Sequence, residues 1–240
     1  MDPSGEFIKW FWNDVLKPAG KFVLDVAITV VAIPVSIALN VMATIASYSN
    51  GLYQGIFEDN WKPLHNANKI FLGNFQGNFG QILSRFTWEM VQSNLGSAWL
   101  QWQNSKGNVD RVDYFDGATF ATNENSEGPS TSLGSFIFIN NRGEVAGDFS
   151  DYVLSNPLYM HEYGHYVDSQ HLGLSYLTQI GIPSAMSASH SEHIPGTRLD
   201  THDVFWVELR ANRLAAKYFE RYGVDWRIFE PPYRDYPRFY

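Results

Sequence analysis

The chain has 240 residues, 45% of them hydrophobic and 16% aromatic, enough apolar side chain to bury a sizeable core in one large domain or two small ones. Its formal net charge is -8, with no clustered Lys/Arg surface to grip phosphates, so nucleic acid is not an expected partner. Cysteine is absent, which excludes disulfides and thiolate-bound metal and leaves only nitrogen and oxygen ligands for any ion.

The opening "MDPSGEF" lacks the basic n-region and small-residue cleavage site of a secretory signal, so export is expected to be directed from outside the chain. From Val26 to Phe57 there is no charged residue. The centre of that span, "VAITVVAIPVSIALNVMATIA", approaches the ~30 Å of a bilayer core at about 1.5 Å per residue. Pro34 and the polar Thr29, Ser36, Asn40 and Thr44 equally suit a buried, proline-broken helical pair. Residues 8–60 therefore read as apolar helices, either a buried hairpin or a membrane-active segment.

A helix is expected around "QILSRFTWEMVQSNLGSAWLQWQ", where apolar residues recur at three and four positions. The runs "VDRVDYF", "ATFAT" and "LGSFIFIN", separated by Gly, Asn, Ser and Pro, predict a small antiparallel sheet with a loose tip near Asn123 to Thr131. Helices return afterwards, one opening at Asn156-Pro157 and one across "DVFWVELRANRLAAKYFERYG", closed by Gly223. The tail from Val224, rich in Pro and aromatics, is expected to wrap the surface. The fold class is α+β, with the later helices in a domain spanning residues 61–240.

His161, Glu162 and His165 form the pattern HExxH within "NPLYMHEYGHYVDSQHLG". On a helix the two histidines share a face, where both imidazoles can meet one Zn2+, while Glu162 beside them can take a proton from water activated by the metal. Gly164 inside the motif lowers helix propensity by roughly 1 kcal/mol and points to close packing. A third ligand has two candidates. His171 gives the metzincin-like spacing HExxHxxxxxH, with Met186 in "SAMSAS" able to pose as a Met-turn, but that geometry needs a backbone bend where this chain has Asp168. In an intact helix His171 lies roughly 9 Å beyond His165 along the axis and about 120° around it.

Glu208 in "WVELRANRLAAKYF" is the second candidate, on a helix whose Ala211, Ala215 and Ala216 allow a close approach. Asn212, one turn on, can orient a ligand by a hydrogen bond. An ordinary solvated Glu208 paired with Arg210 or Arg213 is the competing reading. His202, His190 and His193 precede this helix, and His202 is the preferred donor to a developing oxyanion. Tyr163 and Tyr166 are rivals for that role that suit the core better.

The segments "HEYGHYVDSQHLGLSYLTQIGIPSAMSA" and "HDVFWVELRANRLAAKYFERYGVDW" resemble the C-terminal HExxH domains of bacterial Rhs/YD-repeat proteins of the Bacteroidetes type, which share HEYGHxxQSQxxGxxYLxxxGxPS. The resemblance covers about the last third of the chain and departs from the pattern at Asp168, where it has Gln. It implies a gluzincin-like zinc metallopeptidase with Glu208 as third ligand. "DPSGEF" is similar to the end of an Rhs core, which implies a toxin or effector tip delivered with a repeat shell by a bacterial secretion system, a cognate immunity protein, and a protein or peptide substrate. "GSFIFI" is expected as the edge strand that aligns an extended substrate. The alternative is a non-enzymatic, membrane-active effector that uses the apolar segment, residues 21–48, with a structural or silent metal site.

Overall fold

The computed structural model describes residues 17–126, 128–141, 143–195 and 199–225, with side chains from Val31 onward. The "DPSGEF" segment and most of the tail after Val224 lie outside these residues. Helix α1 (Lys17–Glu58) runs without interruption through Pro34, so the expected proline-broken pair is one helix. Pro34 occupies an exposed position, and its ring does not obstruct the packed side. That packed side carries Ser36, Ser47, Gly51 and Gly55, and it rests on α2 (Lys62–Leu72) and α4 (Met90–Ser105). At Gly51 a Cβ would stand 2.6 Å from the Leu64 nitrogen, so only glycine permits this contact.

The helix expected over residues 81–103 divides into α3 (Phe79–Arg85) and α4. Asn78 and Gln81 form a capping box at the start of α3. The chain breaks after Phe86 because Glu89 turns back: its N–H donates to the Ser84 carbonyl at 2.8 Å, and its buried carboxylate accepts from the Ser84 and Ser169 hydroxyls. Burial pushes the Glu89 carboxyl above the usual range, and these hydrogen bonds together with Arg85 partly offset that rise.

Four strands follow, β1 (Arg111–Phe115), β2 (Ala118–Asn123), β3 (Thr131–Leu133) and β4 (Phe136–Asn140), in the order β1-β2-β4-β3. Asp116-Gly117, both at positive φ, makes the two-residue turn between β1 and β2 that right-handed strand twist favours. The sheet is mixed rather than antiparallel, because β4 inserts between β2 and β3 and runs parallel to β2. Part of the expected loose tip is strand β3. The run "LGSFIFIN" folds back at Gly134, whose φ of 60° a side chain would strain.

Alternate residues of the central strands face opposite layers, as the period of two requires. Phe120, Ile137 and Ile139 meet α5 (Phe149–Ser155), α6 (Pro157–Leu172) and α8 (Trp206–Phe219), whereas Ala121, Phe136 and Phe138 meet the α2–α4 layer. Asn156 caps α6 by accepting from the Leu158 N–H at 3.0 Å, with Pro157 in its first turn. Helices α6 and α8 approach so closely that a Cβ on Gly164 would stand 2.2 Å from the Ala211 carbonyl oxygen. Gly164→Ala gains helix propensity but forces these backbones apart, so it should lower stability by about 3 kcal/mol, read as a fall in the urea midpoint.

Candidate metal centre

His161 and His165 stand one turn apart on α6 with ring centroids 4.9 Å apart. Glu208, in the first turn of α8, places Oε2 3.1 Å from Nε2 of His161 and 3.0 Å from Nε2 of His165. The three donor atoms lie within 4.8 Å of one another, and these residues are a possible metal-binding triad. Glu208 is therefore no solvated surface charge: it is 5% exposed, and its other oxygen accepts from the Ser184 hydroxyl at 2.7 Å. Burial alone would raise its pKa, but the His161 and His165 hydrogen bonds and charges hold it well below the usual carboxylate range.

Asn212 Oδ1 lies 2.8 Å from His161 Nδ1 and accepts its N–H, which leaves Nε2 as the ring nitrogen that faces Glu208. His165 Nδ1 is buried without a hydrogen-bond partner among the described residues. Glu162, 7% exposed, faces the same cleft, and its Oε2 accepts from the Ser132 hydroxyl at 2.8 Å. The cleft measures about 690 Å³ and runs between residues 129–133, α6, α7 (Ile182–Ser189) and the start of α8.

His171 takes no part. Helix α6 continues unbent past Asp168 to Leu172, and His171 is exposed in its last turn. Asp168, buried, accepts from Arg210 Nε at 2.6 Å, and this ion pair ties the two ligand helices together where the metzincin-like reading needed a bend. Met186 is exposed on α7. His202 lines the cleft with Nε2 3.7 Å from Glu208 Oε1, whereas His190 and His193 are exposed. Tyr163 and Tyr166 are core residues. "GSFIFI" is not an edge, because β4 is hydrogen-bonded on both sides; the strand beside the cleft is β3.

The cleft residues that carried no role in the sequence reading include Ser132, Tyr176, whose hydroxyl donates to the Ser132 carbonyl at 3.2 Å, and Ser184. Tyr176 and Ser184 stand in the shared HEYGHxxQSQxxGxxYLxxxGxPS pattern, which was their only signal. Ser132 had none.

Zinc content, measured by mass spectrometry, should be one ion per chain in wild type and in His171→Ala, and should be lost in Glu208→Ala. Burial disfavours the His161 imidazolium, but the Glu208 hydrogen bond, the Glu162 and Glu208 charges and Asn212 outweigh it and raise the pKa to about 9. A metal takes only the neutral ring, so its affinity should rise about tenfold per pH unit up to that value and fall below it. Calorimetry of zinc binding at neutral pH, in two buffers of different ionisation enthalpy, should show about one proton released.

Compared with known proteins, the chain matches no family model, no curated protein and no solved structure, so what the site does follows from its own residues.

Proposed function

We propose that the chain is a zinc-dependent metallopeptidase of gluzincin-like layout. The observation that carries this reading is the convergence of His161, His165 and Glu208 on one point, with the Glu162 carboxylate beside it in an open cleft. The donors are two imidazoles and one carboxylate with no thiolate, a set that suits zinc with one position left for water. Zinc, which these three would hold, would supply Lewis acidity and a lowered pKa, toward about 7, for water within its reach.

Glu162 is the general base. Its carboxylate takes a proton from water as the water oxygen bonds to the carbonyl carbon, and it returns that proton to the amine nitrogen as the C–N bond breaks. The Ser132 hydroxyl holds one Glu162 oxygen in place, and His202 Nε2 donates to the oxyanion. Asn212 keeps His161 in the tautomer that presents Nε2. The resemblance of "HEYGH" and the segments after it supports a setting for this activity: the delivered effector tip of an Rhs-type protein, with a repeat shell and an immunity protein as partners.

The test is incubation of the zinc-loaded protein with a broad peptide library, followed by mass spectrometry of new termini. Wild type should cut, and Glu162→Gln should keep its zinc yet cut about 100-fold to 10,000-fold more slowly. Equal cutting by the two proteins, or no cutting by wild type, would refute the reading.

A further inference from the structure

Helix α1 is built inside out for a helix that faces water. Its exposed side is a stripe of Val31, Val35, Leu39, Met42, Ile45, Leu52, Ile56 and neighbouring apolar residues at helical spacing. Met42 is 67% and Ile45 62% exposed, and only 17% of the helix's apolar window is buried. The opposite side, pressed onto α2 and α4, carries the polar and small residues instead. Asn104 donates to the Ser47 hydroxyl at 2.8 Å, Asn40 donates to Asn94 at 2.9 Å, and Ser47, Gly51 and Gly55 recur every fourth residue. Small residues with amide and hydroxyl hydrogen bonds inside, and aliphatics outside, is how helices associate when their outer surface meets hydrocarbon.

Three features select lipid over a protein partner. The sequence has no charged residue from Val26 to Phe57, so the stripe offers no Arg of the kind that orients a protein interface. Val31–Glu58 stays apolar over 28 residues, so the stripe offers a long continuous face to a bilayer surface. At its C-terminal end the face turns aromatic, with exposed Tyr53 and Phe57 in ring contact at 5.1 Å, side chains that suit a membrane interface. The inward side is committed to α2 and α4, so lipid cannot surround the helix.

We propose that the outward face of α1 docks on a bilayer and lies in the plane of its interface. The contact is hydrophobic, so it needs no anionic headgroup and resists salt. This inference does not rest on the peptidase reading.

The test is flotation of the full chain with phosphatidylcholine vesicles at low and at high salt, beside the double variant Met42→Glu/Ile45→Glu. Both substitutions are at exposed positions, and unchanged melting and zinc content certify the variant's fold. Wild type should float at either salt, and the variant's floating fraction should fall about tenfold. Failure of wild type to float would overturn the proposal, as would equal flotation of the variant or flotation that requires anionic lipid and disappears in salt. Light scattering that shows a wild-type dimer dispersed by the variant, with no flotation, would assign the face to a second copy instead.

Discussion

The backbone contact between α6 and α8 at Gly164 and Ala211 governs the rest of the structure. Because no Cβ stands between them, a glutamate in the first turn of α8 reaches two histidines one turn apart on α6. Helices at ordinary separation, about 8–10 Å between axes, would hold Glu208 further from both imidazoles. The Asp168–Arg210 pair sits one turn beyond His165 and resists sliding of one helix along the other. Phe115, Tyr163 and Phe219, in mutual ring contact, close the opposite end of the same interface.

That closeness has an electrostatic cost. Glu208 and Glu162 line one cleft with their side chains largely buried, and Glu89 and Asp168 are buried behind them, so the fold concentrates carboxylates at low exposure. Arg210 serves Asp168, and hydroxyls from Ser84 and Ser169 serve Glu89. Glu208 has no Arg or Lys paired with it among the described residues, but the Ser184 hydroxyl and the two imidazoles, which is why His161 holds its proton firmly and why a divalent cation suits the place. The elements that shape the cleft thus create a demand for positive charge at one point.

How much was legible in the sequence follows from how local each signal is. His161, Glu162 and His165 are spaced by one helix and were legible as a local motif, whereas Glu208 with Asn212, on another helix, stood beside His171 as one of two candidates and was singled out by the resemblance. Gly164 and the alanines of α8 announced that the halves would meet. Ser132 could not be found, because β3 is three residues long and half-exposed, with no alternation to mark it as a strand. For α1 the charge-free run was plain, but its orientation was not. Asn40 reads as a flaw in an apolar helix until α4 supplies Asn94 on the facing side, beside Asn104, which donates to Ser47.

The strand bordering the cleft is also a blunted edge. Its Ser132 carbonyl already accepts from the Tyr176 hydroxyl. An edge of three residues with that acceptor occupied is a poor template for the strands of other molecules. It also leaves an extended ligand few main-chain partners there. Recognition then falls to side chains along the cleft walls, and a protein that grips by side chains selects among sequences, whereas one that grips by backbone accepts most of them.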